Sequence, residues 1–407
     1  MTTPTRTPIA GTRSPARPAP LSAHHAPRLG IIGAGQLARM TAMAAVQLGC
    51  EVVVLAASED EPACALATHC VFGDRDDASK LAQLAAQVDV VTLENEFVDG
   101  RRLETLERQG VALFPSAHCV SLVQDKFVQK SLLAAHDIAM PRFRAVGCRA
   151  EIEKAAEDFA WPLVLKARRN GYDGKGNASL YSAADIDAAW QHLGGAASDL
   201  YIEQWCPFVA EVAVIVTRGR DGASVVYPVT ETVQREHVCH RVLVPAPLSD
   251  AHQAEVVAIA QRAVAAVGGV GSFGVELFVM DDGRLLLNEL APRVHNSGHY
   301  TLEACACSQF ENHVRAVFGW PLGSTALRAP AAVMVNLLGE REGGGRPQGL
   351  AAALAVPETH VHLYGKTRVA TGRKMGHVTA LGATLDSARE RAECAARAIR
   401  FGTENAQ

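Results

Sequence analysis

The sequence predicts an α/β protein with two or three domains. The chain has 407 residues, more than a single hydrophobic core usually accommodates. A strand, a glycine turn, a helix and a second strand follow one another from residue 28 to residue 55, which is typical of a parallel α/β sheet. Further strands begin near residue 161, and a smaller unit of strands follows residue 325.

Charge and composition argue against two classes of partner. The formal charge of -4 includes no basic excess, so we expect no nucleic-acid partner. No apolar run approaches the ~20 residues that span a bilayer, so we expect no membrane segment. The ten cysteines include no C-x-x-C pair, which favours reduced thiols in a cytoplasmic protein.

Residues 1–27 differ in character from the rest of the chain. They are rich in Pro, Thr, Ala and Arg, contain no acidic residue, and show no periodicity that could build a core. We therefore predict a disordered tail. Its six prolines would break the amphipathic helix that a transit peptide needs, so we do not expect a targeting role.

The first domain begins with a Rossmann-type βαβ unit. Its turn, Gly33-x-Gly35-x-x-Ala38, matches the dinucleotide fingerprint in a permissive form. The ribose-binding acid of that fingerprint is missing, because the strand at 51–55 ends in Ala-Ala-Ser. A dinucleotide site is therefore a weak hypothesis.

Another strand of this domain, 88–93, ends in Glu94-Asn95-Glu96. Ligands bind at the carboxyl ends of strands in open α/β sheets, so Glu94 is a candidate ligand contact. Either acid could instead lie at a helix N-terminus. The domain is expected to end between Pro115 and Leu122, after a strand at 111–114.

A basic glycine loop indicates a nucleotide site in the second domain, which opens with a helix at 125–133. The strand 161–166 ends in Lys166, and the loop 168–177 contains three glycines and Lys175. Glycines let backbone N–H groups approach phosphate oxygens closely, and the lysines supply positive charge. A glycine-rich hairpin tip on the surface would look similar, but the lysine at the strand end favours a nucleotide lid.

The next strand, 200–205, carries Glu203 near its end, and a further strand at 209–216 follows. An acid in this place could hold an adenine edge and ribose hydroxyls. By itself the pattern indicates only a sheet. A helix at 251–267 follows and leads into a hairpin.

The hairpin brings two carboxylates together. Its strands are predicted at 274–280 and 284–287, and Asp282-Gly283 between them is a strong turn signal. With a two-residue loop, Glu276 lies directly opposite Glu289, and such like charges need a cation between them. Magnesium suits the pair, because it takes one or two carboxylates and completes its shell with water and phosphate oxygens. Alternatively, one carboxylate faces solvent, or a three-residue loop changes the register.

The densest group of polar side chains follows this hairpin, from Asn288 to Thr301. It joins an acid, amides, a guanidinium and two imidazoles to an apolar lead-in at 284–287. Loops held by a rigid scaffold are where chemistry usually lies, so this run marks a site.

The smaller unit after residue 325 contains strands at 332–338, 360–364 and 377–381. Four cations lie between Lys366 and Lys374, and they form a candidate site for a substrate phosphate. A solvated basic turn is the commoner explanation of such a run.

Together these motifs resemble the 5-(carboxyamino)imidazole ribonucleotide synthetases, a family of ATP-grasp enzymes in purine biosynthesis. The resemblance covers residues 28–385. Its most specific parts are the loop 171–176, the run 288–301, and the segment 372–377 that follows Tyr364-x-Lys366.

The resemblance implies an ATP-grasp fold with a Rossmann-like N-terminal domain that binds no NAD, and a small C-terminal domain. The domains are then expected at 28–122, 123–325 and 326–400, with a lid subdomain at about 142–203. The implied reaction joins bicarbonate to the exocyclic amine of 5-aminoimidazole ribonucleotide. It consumes ATP with Mg²⁺ or Mn²⁺ and proceeds through carboxyphosphate. A homodimer is also implied.

The resemblance assigns residues to each ligand. Glu276 and Glu289 are expected to bind the metal ion. Arg293, His295, Asn296 and Asp173 are the expected catalytic residues, of which the first three face bicarbonate. The expected contacts of the ribonucleotide are Glu94, Tyr172, Asp173, Lys366, Arg373 and Lys374. The expected ATP contacts are Lys126, Lys166, Gly171, Tyr172, Asp173, Gly174, Lys175, Gly176, Asn177, Glu203, Gln204, Trp205, Cys206, Glu211, Gln234, Asn288 and Glu289.

The chain departs from the family pattern at three of these positions and in the glycine turn. Lys126 stands where arginine is expected, Gln234 where histidine is common, Asn177 in place of glutamine, and Ala38 in place of glycine, so we expect adjusted affinity without loss of activity. Three rival functions are considered. A related ATP-grasp ligase, such as a formate-dependent glycinamide ribonucleotide transformylase or a biotin carboxylase, would share the lid and the carboxylates. An NAD-dependent dehydrogenase depends on the glycine turn alone, and a nucleotide sensor would bind ATP without turnover.

Overall fold

The computed structural model describes residues 26–171, 176–235 and 238–402. The predicted tail at 1–27 therefore lies almost wholly outside the described residues. The part of the chain that is described contains no helix that is both long and apolar enough to cross a membrane.

The first unit is a parallel sheet covered by helices on both faces. Its strand order is β3-β2-β1-β4, so the first βαβ unit forms the centre of the sheet as the sequence predicted. Helix α1 lies against one face, and that face also packs against the later helix α10. The elements of this unit are β1 (Arg28–Ile32), α1 (Gln36–Gln47), β2 (Glu51–Ala56), β3 (His69–Phe72), α2 (Ala78–Ala85), β4 (Val90–Leu93), α3 (Gly100–Arg108) and α4 (Ala117–Gln124).

A four-stranded antiparallel sheet in the order β5-β8-β6-β7 forms the second unit and has a core of its own. Its strands lie between residues 143 and 204, close to the segment of about 142–203 predicted as the lid subdomain, and this sheet is called the lid sheet below. Asp125 caps the N-terminus of helix α5 (Lys126–Ala135). Its carboxylate also accepts two hydrogen bonds from Arg168, at 2.9 and 2.7 Å, and these bonds join the end of β6 to α5. The elements are α5 (Lys126–Ala135), β5 (Phe143–Val146), α6 (Arg149–Phe159), β6 (Leu163–Ala167), β7 (Asn177–Leu180), α7 (Ile186–His192) and β8 (Leu200–Gln204).

A large sheet forms the centre of the molecule. Its strand order is β14-β13-β9-β11-β12-β15-β19-β17, and β10 pairs with β9. The elements up to residue 318 are β9 (Phe208–Arg218), β10 (Ser224–Val226), β11 (Thr230–Arg235), β12 (Val238–Val244), α8 (Asp250–Ala266), β13 (Gly271–Met280), β14 (Leu285–Ala291), α9 (Thr301–Ala304) and α10 (Gln309–Phe318).

The carboxyl-terminal strands extend the same sheet. Strand β12 pairs antiparallel with β15, so the sheet is continuous across the predicted boundary at residue 325, although the sequence segments on either side differ. Helix α12 packs on β15 and β19. The elements are β15 (Ala331–Leu338), β16 (Gly343–Gly344), α11 (Leu350–Leu354), β17 (Thr359–Leu363), β18 (Arg368–Val369), β19 (Lys374–Gly382) and α12 (Leu385–Ala398).

The hairpin β13–β14 differs from the prediction at its tip. Met280 and Arg284 are hydrogen-bonded, so the loop has three residues, and Gly283 adopts a positive φ of 83° there. A three-residue loop alone would shift the register by one residue. A bulge after Glu276 restores it, because Leu277 pairs with Leu287 while Glu276 still pairs with Glu289. The predicted loop length is wrong, and the predicted pairing of the two glutamates is present.

Candidate active site

One cavity of about 1300 Å³ opens between the first unit, the lid sheet and the large sheet. This volume exceeds that of an ordinary ligand pocket and has room for more than one substrate. Four of the predicted site residues, Tyr172, Asp173, Gly174 and Lys175, lie outside the described residues. All the other predicted residues line the cavity: Glu94, Lys126, Lys166, Gly171, Gly176, Asn177, Glu203, Gln204, Trp205, Cys206, Glu211, Gln234, Glu276, Asn288, Glu289, Arg293, His295, Asn296, Lys366, Arg373 and Lys374.

Two carboxylates, Glu276 and Glu289, face each other across the hairpin, and a third lies on the neighbouring strand. Strand β9 pairs Glu211 with Phe278, two residues along from Glu276, and the bulge lets both Asn288 and Glu289 reach the cavity. Burial and the charges of Glu211 and Glu289 raise the pKa of Glu276 well above its ordinary value. Burial also raises the pKa of Glu211, although Thr232 and Gln234 donate hydrogen bonds to its Oε1, each at 2.7 Å.

This arrangement fits a hard divalent cation. A cation would lower the free energy of buried carboxylates that now repel one another, and oxygen donors are the ligands magnesium prefers. Within the described ranges, no three His, Cys, Asp or Glu side chains are grouped closely enough to form a complete metal site. Magnesium takes one or two protein carboxylates and completes its shell with water and phosphate oxygens, and Glu276 and Glu289 would supply those two carboxylates.

A buried charge cluster lies on the lid side of the cavity. Glu203 forms ion pairs with Lys166 and with Lys130, the second at 2.6 Å, and Lys130 also donates to the carbonyl oxygen of Asn288 at 2.9 Å. Burial alone would raise the pKa of Glu203, but the two lysines outweigh burial and lower it. Lys126, one helical turn before Lys130, lies 3.2 Å from Glu289. These contacts thus join α5, β6, β8 and β14 around the cavity.

Aromatic side chains line another wall near the end of β8. The rings of Phe208 and Phe278 are stacked with their centroids 4.5 Å apart, and both line the cavity. Trp205 is 39% exposed and lies beside the same opening. An apolar wall with Gln204 and Glu203 at its edge can accept a flat heterocycle and bond its rim.

Arg293 is held by a residue from the first unit. Its Nε donates to Glu96 Oε2 at 2.7 Å, and its Nη1 donates to the carbonyl oxygen of Val294 at 3.3 Å. Burial alone would raise the pKa of Glu96, but Arg293 and Lys126 outweigh burial and lower it. The guanidinium is therefore held at the cavity wall by a carboxylate whose charged form it stabilises.

His295 begins the turn that follows β14. Its Nδ1 accepts from the backbone N–H of Ser297 at 3.4 Å, so the proton of a neutral ring lies on Nε2. That atom is 3.5 Å from Glu276 Oε1. His295 thus presents a donor beside the carboxylate group.

Glu94 occupies the N-terminus of helix α1. Its Oε2 accepts from the N–H of Gly35 at 2.7 Å, and its Oε1 accepts from the N–H of Leu37 at 3.2 Å. A Cβ at Gly35 would lie 2.4 Å from Glu94 Oε1, so this contact requires glycine. Dinucleotide-binding proteins place a phosphate at this position. A carboxylate there argues against a dinucleotide site in this turn.

The segment after β17 contains the cations that were predicted to contact the ribonucleotide. Lys366 Nζ donates to Gln36 Oε1 at 2.6 Å and to the carbonyl oxygen of Lys374 at 2.7 Å. Arg373 Nη1 donates to the carbonyl oxygen of Arg368 at 2.8 Å. The loop is thereby joined to the start of α1, where Glu94 lies.

Several cavity residues were not among the predicted site residues, and three of them, Lys130, Glu96 and Gln36, bond to predicted ones. Lys130 follows Lys126 by one helical turn, and that spacing could have indicated it. Glu96 was noted at its strand end but not assigned to the site. Gln36 opens α1 with an ordinary polar side chain, and nothing in the sequence distinguishes it.

Known families match most of the chain. A ribonucleotide synthetase preATP-grasp domain matches residues 27–124, and an ATP-grasp domain matches residues 131–310. A phosphoribosylaminoimidazole carboxylase C-terminal domain matches residues 332–391.

Individual relatives agree with these matches. An N5-carboxyaminoimidazole ribonucleotide synthase of Synechococcus elongatus is 44% identical over 352 residues, 86% of this chain and 88% of that protein. A chloroplastic phosphoribosylaminoimidazole carboxylase of Vigna aconitifolia is 41% identical over 363 residues, 88% of this chain. This chain spans 65% of the length of the Vigna protein.

A solved structure is similar in fold over almost the whole chain. It is the N5-carboxyaminoimidazole synthase of Aspergillus clavatus in complex with ADP and 5-aminoimidazole ribonucleotide. The TM-score is 0.83 at 36% sequence identity, over 91% of this chain and 98% of that one. With these matches, the chain belongs to the N5-carboxyaminoimidazole ribonucleotide synthase family of ATP-grasp ligases.

Proposed function

We propose that this enzyme carboxylates 5-aminoimidazole ribonucleotide with bicarbonate and ATP, and forms N5-carboxyaminoimidazole ribonucleotide, ADP and phosphate. One observation carries the proposal: every described residue predicted for ATP, metal, bicarbonate and the ribonucleotide lines a single cavity. The four groups must meet for the carboxyl group to pass between substrates, so separate pockets would have argued against this reaction.

The nucleotide is proposed to bind between the lid sheet and the large sheet. Lys126 and Lys166 carry the charge that phosphate oxygens need, and Gly171 and Gly176 bound the lid loop. Glu203 and Gln204 lie where an adenosine could be bonded. Glu276 and Glu289 would hold magnesium, which when bound neutralises charge on the phosphate oxygens.

Arg293, His295 and Asn296 are proposed to hold bicarbonate beside the γ-phosphate. A bicarbonate oxygen attacks phosphorus, ADP leaves, and carboxyphosphate forms. The arginine and histidine N–H groups stabilise the charge on the carboxyl oxygens during this step.

The ribonucleotide amine then attacks the carboxyl carbon, phosphate leaves, and the amine loses a proton. Glu94 is proposed to contact the ribonucleotide, with Lys366, Arg373 and Lys374 at its 5′-phosphate. Asp173 and Tyr172 remain predicted contacts of the same substrate.

Two further properties are proposed from the family and the composition. Each of the ten cysteines is a free thiol, which suits a reducing compartment such as the cytoplasm. A homodimer is the family expectation, and sedimentation of the purified protein measures it.

The test is ADP release from ATP and Mg²⁺, measured with and without bicarbonate and the ribonucleotide. We expect release to require all of them and the carboxylated product to form in equal amount to ADP. Release that the ribonucleotide does not stimulate would refute the proposal. ADP formation with glycinamide ribonucleotide and formate, or with biotin, would identify a related ligase instead.

Replacing Lys374 by alanine is expected to raise the KM for the ribonucleotide about tenfold and to leave kcat within about twofold. A lysine–phosphate bond contributes binding energy in both the ground state and the transition state, so its loss mainly raises KM. Lys154→Ala, on the exposed side of α6, is the matched control and should change neither constant. A fall in kcat at unchanged KM would place Lys374 outside the phosphate site.

A further inference from the structure

A buried polar network adjoins Asn296 in the proposed bicarbonate pocket. It consists of Asn336, His299, Tyr364 and His377, and each of these side chains is at most 4% exposed. None of the four lines the cavity, whereas Asn296 does. The network reaches the cavity at Asn296, at Cys239, whose carbonyl oxygen accepts from Asn336, and at Lys366, whose Nζ lies 5.7 Å from the centre of the Tyr364 ring. The contact with Asn296 is the one that bears on the proposed bicarbonate pocket.

The carbonyl oxygen of Cys239 fixes the orientation of two amides. Asn336 Nδ2 donates to it at 2.9 Å, and turning this amide over would bring two oxygens into contact. The same nitrogen donates to Asn296 Oδ1 at 2.7 Å. Asn336 Oδ1 then accepts from Asn296 Nδ2 at 3.0 Å. The two amides form a reciprocal pair with a single possible polarity.

The orientation of the Asn296 amide determines which nitrogen of His299 accepts a hydrogen bond. The second N–H of Asn296 Nδ2 meets His299 Nδ1 at 3.2 Å, so Nδ1 must be the unprotonated nitrogen. Burial, with nearby Lys374 adding to it, lowers the pKa of His299 well below its ordinary value. The ring is thus neutral, and its one proton lies on Nε2.

Tyr364 and His377 complete the chain of hydrogen bonds. Tyr364 Oη lies 3.1 Å from His299 Nδ1, which carries no proton, so the hydroxyl donates. The hydroxyl oxygen then accepts from His377 Nδ1 at 3.0 Å. Two donors, the amide of Asn296 and the hydroxyl of Tyr364, therefore share the single lone pair of His299 Nδ1, and the buried Nε2 of His299 has no hydrogen-bond partner among the described residues.

Asn296 is left with one hydrogen-bonding position. Both of its N–H groups are used, and Oδ1 accepts one bond from Asn336 and can accept one more. A substrate group that meets this side chain must therefore be a hydrogen-bond donor. Of the atoms of bicarbonate, only the hydroxyl can donate.

Building on the proposed function, we propose that this network holds Asn296 so that its side-chain oxygen accepts a hydrogen bond from the hydroxyl of bicarbonate. Asn336 and His299 are positioning residues in direct contact with Asn296. Tyr364 and His377 position His299. The carboxylate oxygens of the same anion would then face the N–H groups of Arg293 and His295.

His299→Phe tests the positioning role. The substitution removes the acceptor of the Asn296 amide and keeps an aromatic ring. We expect the KM for bicarbonate, measured in CO₂-depleted buffer, to rise about tenfold, the effect of one misplaced hydrogen bond. The KM values for ATP and for the ribonucleotide should stay within about twofold, which a general loss of structure would not permit.

His313→Phe is the matched control. His313 is 1% exposed and bonds Thr92 Oγ1 at 2.8 Å and the N–H of Ser272 at 3.0 Å, away from the cavity lining. Its loss should lower the melting temperature and leave the bicarbonate KM unchanged. Tyr364→Phe removes only one hydroxyl and replaces His299→Phe as the test if that variant does not fold. For Tyr364→Phe we expect the KM for bicarbonate to rise about threefold.

The outcomes separate two failures. If the wild-type enzyme releases ADP independently of bicarbonate, the proposed function fails, and this inference fails with it. If the wild-type enzyme depends on bicarbonate but His299→Phe and Tyr364→Phe have the wild-type bicarbonate KM, only the inference is overturned.

Formate tests the polarity of the contact, because it has a C–H where bicarbonate has the hydroxyl. In Asn296→Ala we expect the bicarbonate KM to rise about tenfold, while the inhibition constant of formate against bicarbonate stays unchanged. Formate that fails to compete with bicarbonate in the wild type would overturn the placement of the carboxylate oxygens against Arg293 and His295. A parallel rise of both constants would overturn the assigned polarity.

Discussion

Replacing Glu289 by glutamine is expected to lower kcat by about a hundredfold or more. Glutamine keeps the size and one oxygen of the side chain but removes the charge that a metal ion needs. Glu289 pairs with Glu276 across the hairpin and lies 3.2 Å from Lys126, so its charge acts on both the proposed metal and the proposed phosphate contacts.

The same substitution should not destabilise the protein without ligands. Glu276 is buried, and Glu289 is one of the charges that raise its pKa, so removing that charge relieves repulsion. The lost partner of Lys126 offsets part of this gain. We therefore expect an unchanged or slightly higher melting temperature, together with loss of the additional stabilisation that Mg²⁺ gives in the presence of ADP.

Glu231→Gln is the control for this experiment. Glu231 lies on β11 and does not line the cavity, so its substitution should preserve kcat and the effect of Mg²⁺. A Glu289→Gln enzyme with wild-type magnesium dependence would mean that the metal binds elsewhere. A large fall in melting temperature would indicate that Glu289 has a structural role.

The hairpin that carries Glu289 illustrates how far local sequence patterns reach. Alternating residues and the Asp-Gly turn signal were sufficient to predict two strands and the facing pair of glutamates. They could not decide between a two-residue and a three-residue loop, and they gave no sign of the bulge after Glu276, which compensates for the longer loop. A bulge depends on what packs against both faces of a strand, and that information lies outside the hairpin.

The sequence patterns did not predict contacts between elements that are distant along the chain. Glu94 reaches the N-terminus of α1 only because β1 and β4 are neighbours in the parallel sheet. Asn296 meets Asn336 because the sheet continues from β12 into β15, across the boundary between two predicted domains. Residue types indicated that each segment was functional, but tertiary packing decides which atoms each side chain offers.

His299 shows the same limit in detail. The sequence placed it in the densest polar run and assigned it no role. In the fold it is fully buried; its hydrogen-bond partners are Asn296 in the turn after β14 and Tyr364 in the loop after β17, and its ring lies beside that of His377 on β19. Only those partners determine which of its nitrogens is protonated, and hence how Asn296 is oriented.

Arg293→Lys is the second substitution with a large expected effect. We expect kcat/KM for bicarbonate to fall about a hundredfold, in the range found when a preorganised donor to a developing anion is removed. Lysine keeps the positive charge but loses the planar fork, which can bond Glu96 on one edge and a planar anion on another. The KM for ATP should remain within about twofold, because the nucleotide contacts lie on other elements.

Glu96→Gln tests how much the charge of Glu96 contributes to holding Arg293 in place. The glutamine oxygen can still accept from Arg293 Nε, which now donates to Glu96 at 2.7 Å, but the ionic part of the attraction is lost. We expect kcat/KM for bicarbonate to fall about tenfold and the KM for ATP to stay unchanged. If Arg293→Lys instead raised the KM for ATP and spared bicarbonate, the guanidinium would belong to the nucleotide site. The anion pocket would then consist of His295 and Asn296, without the permanent charge of a guanidinium.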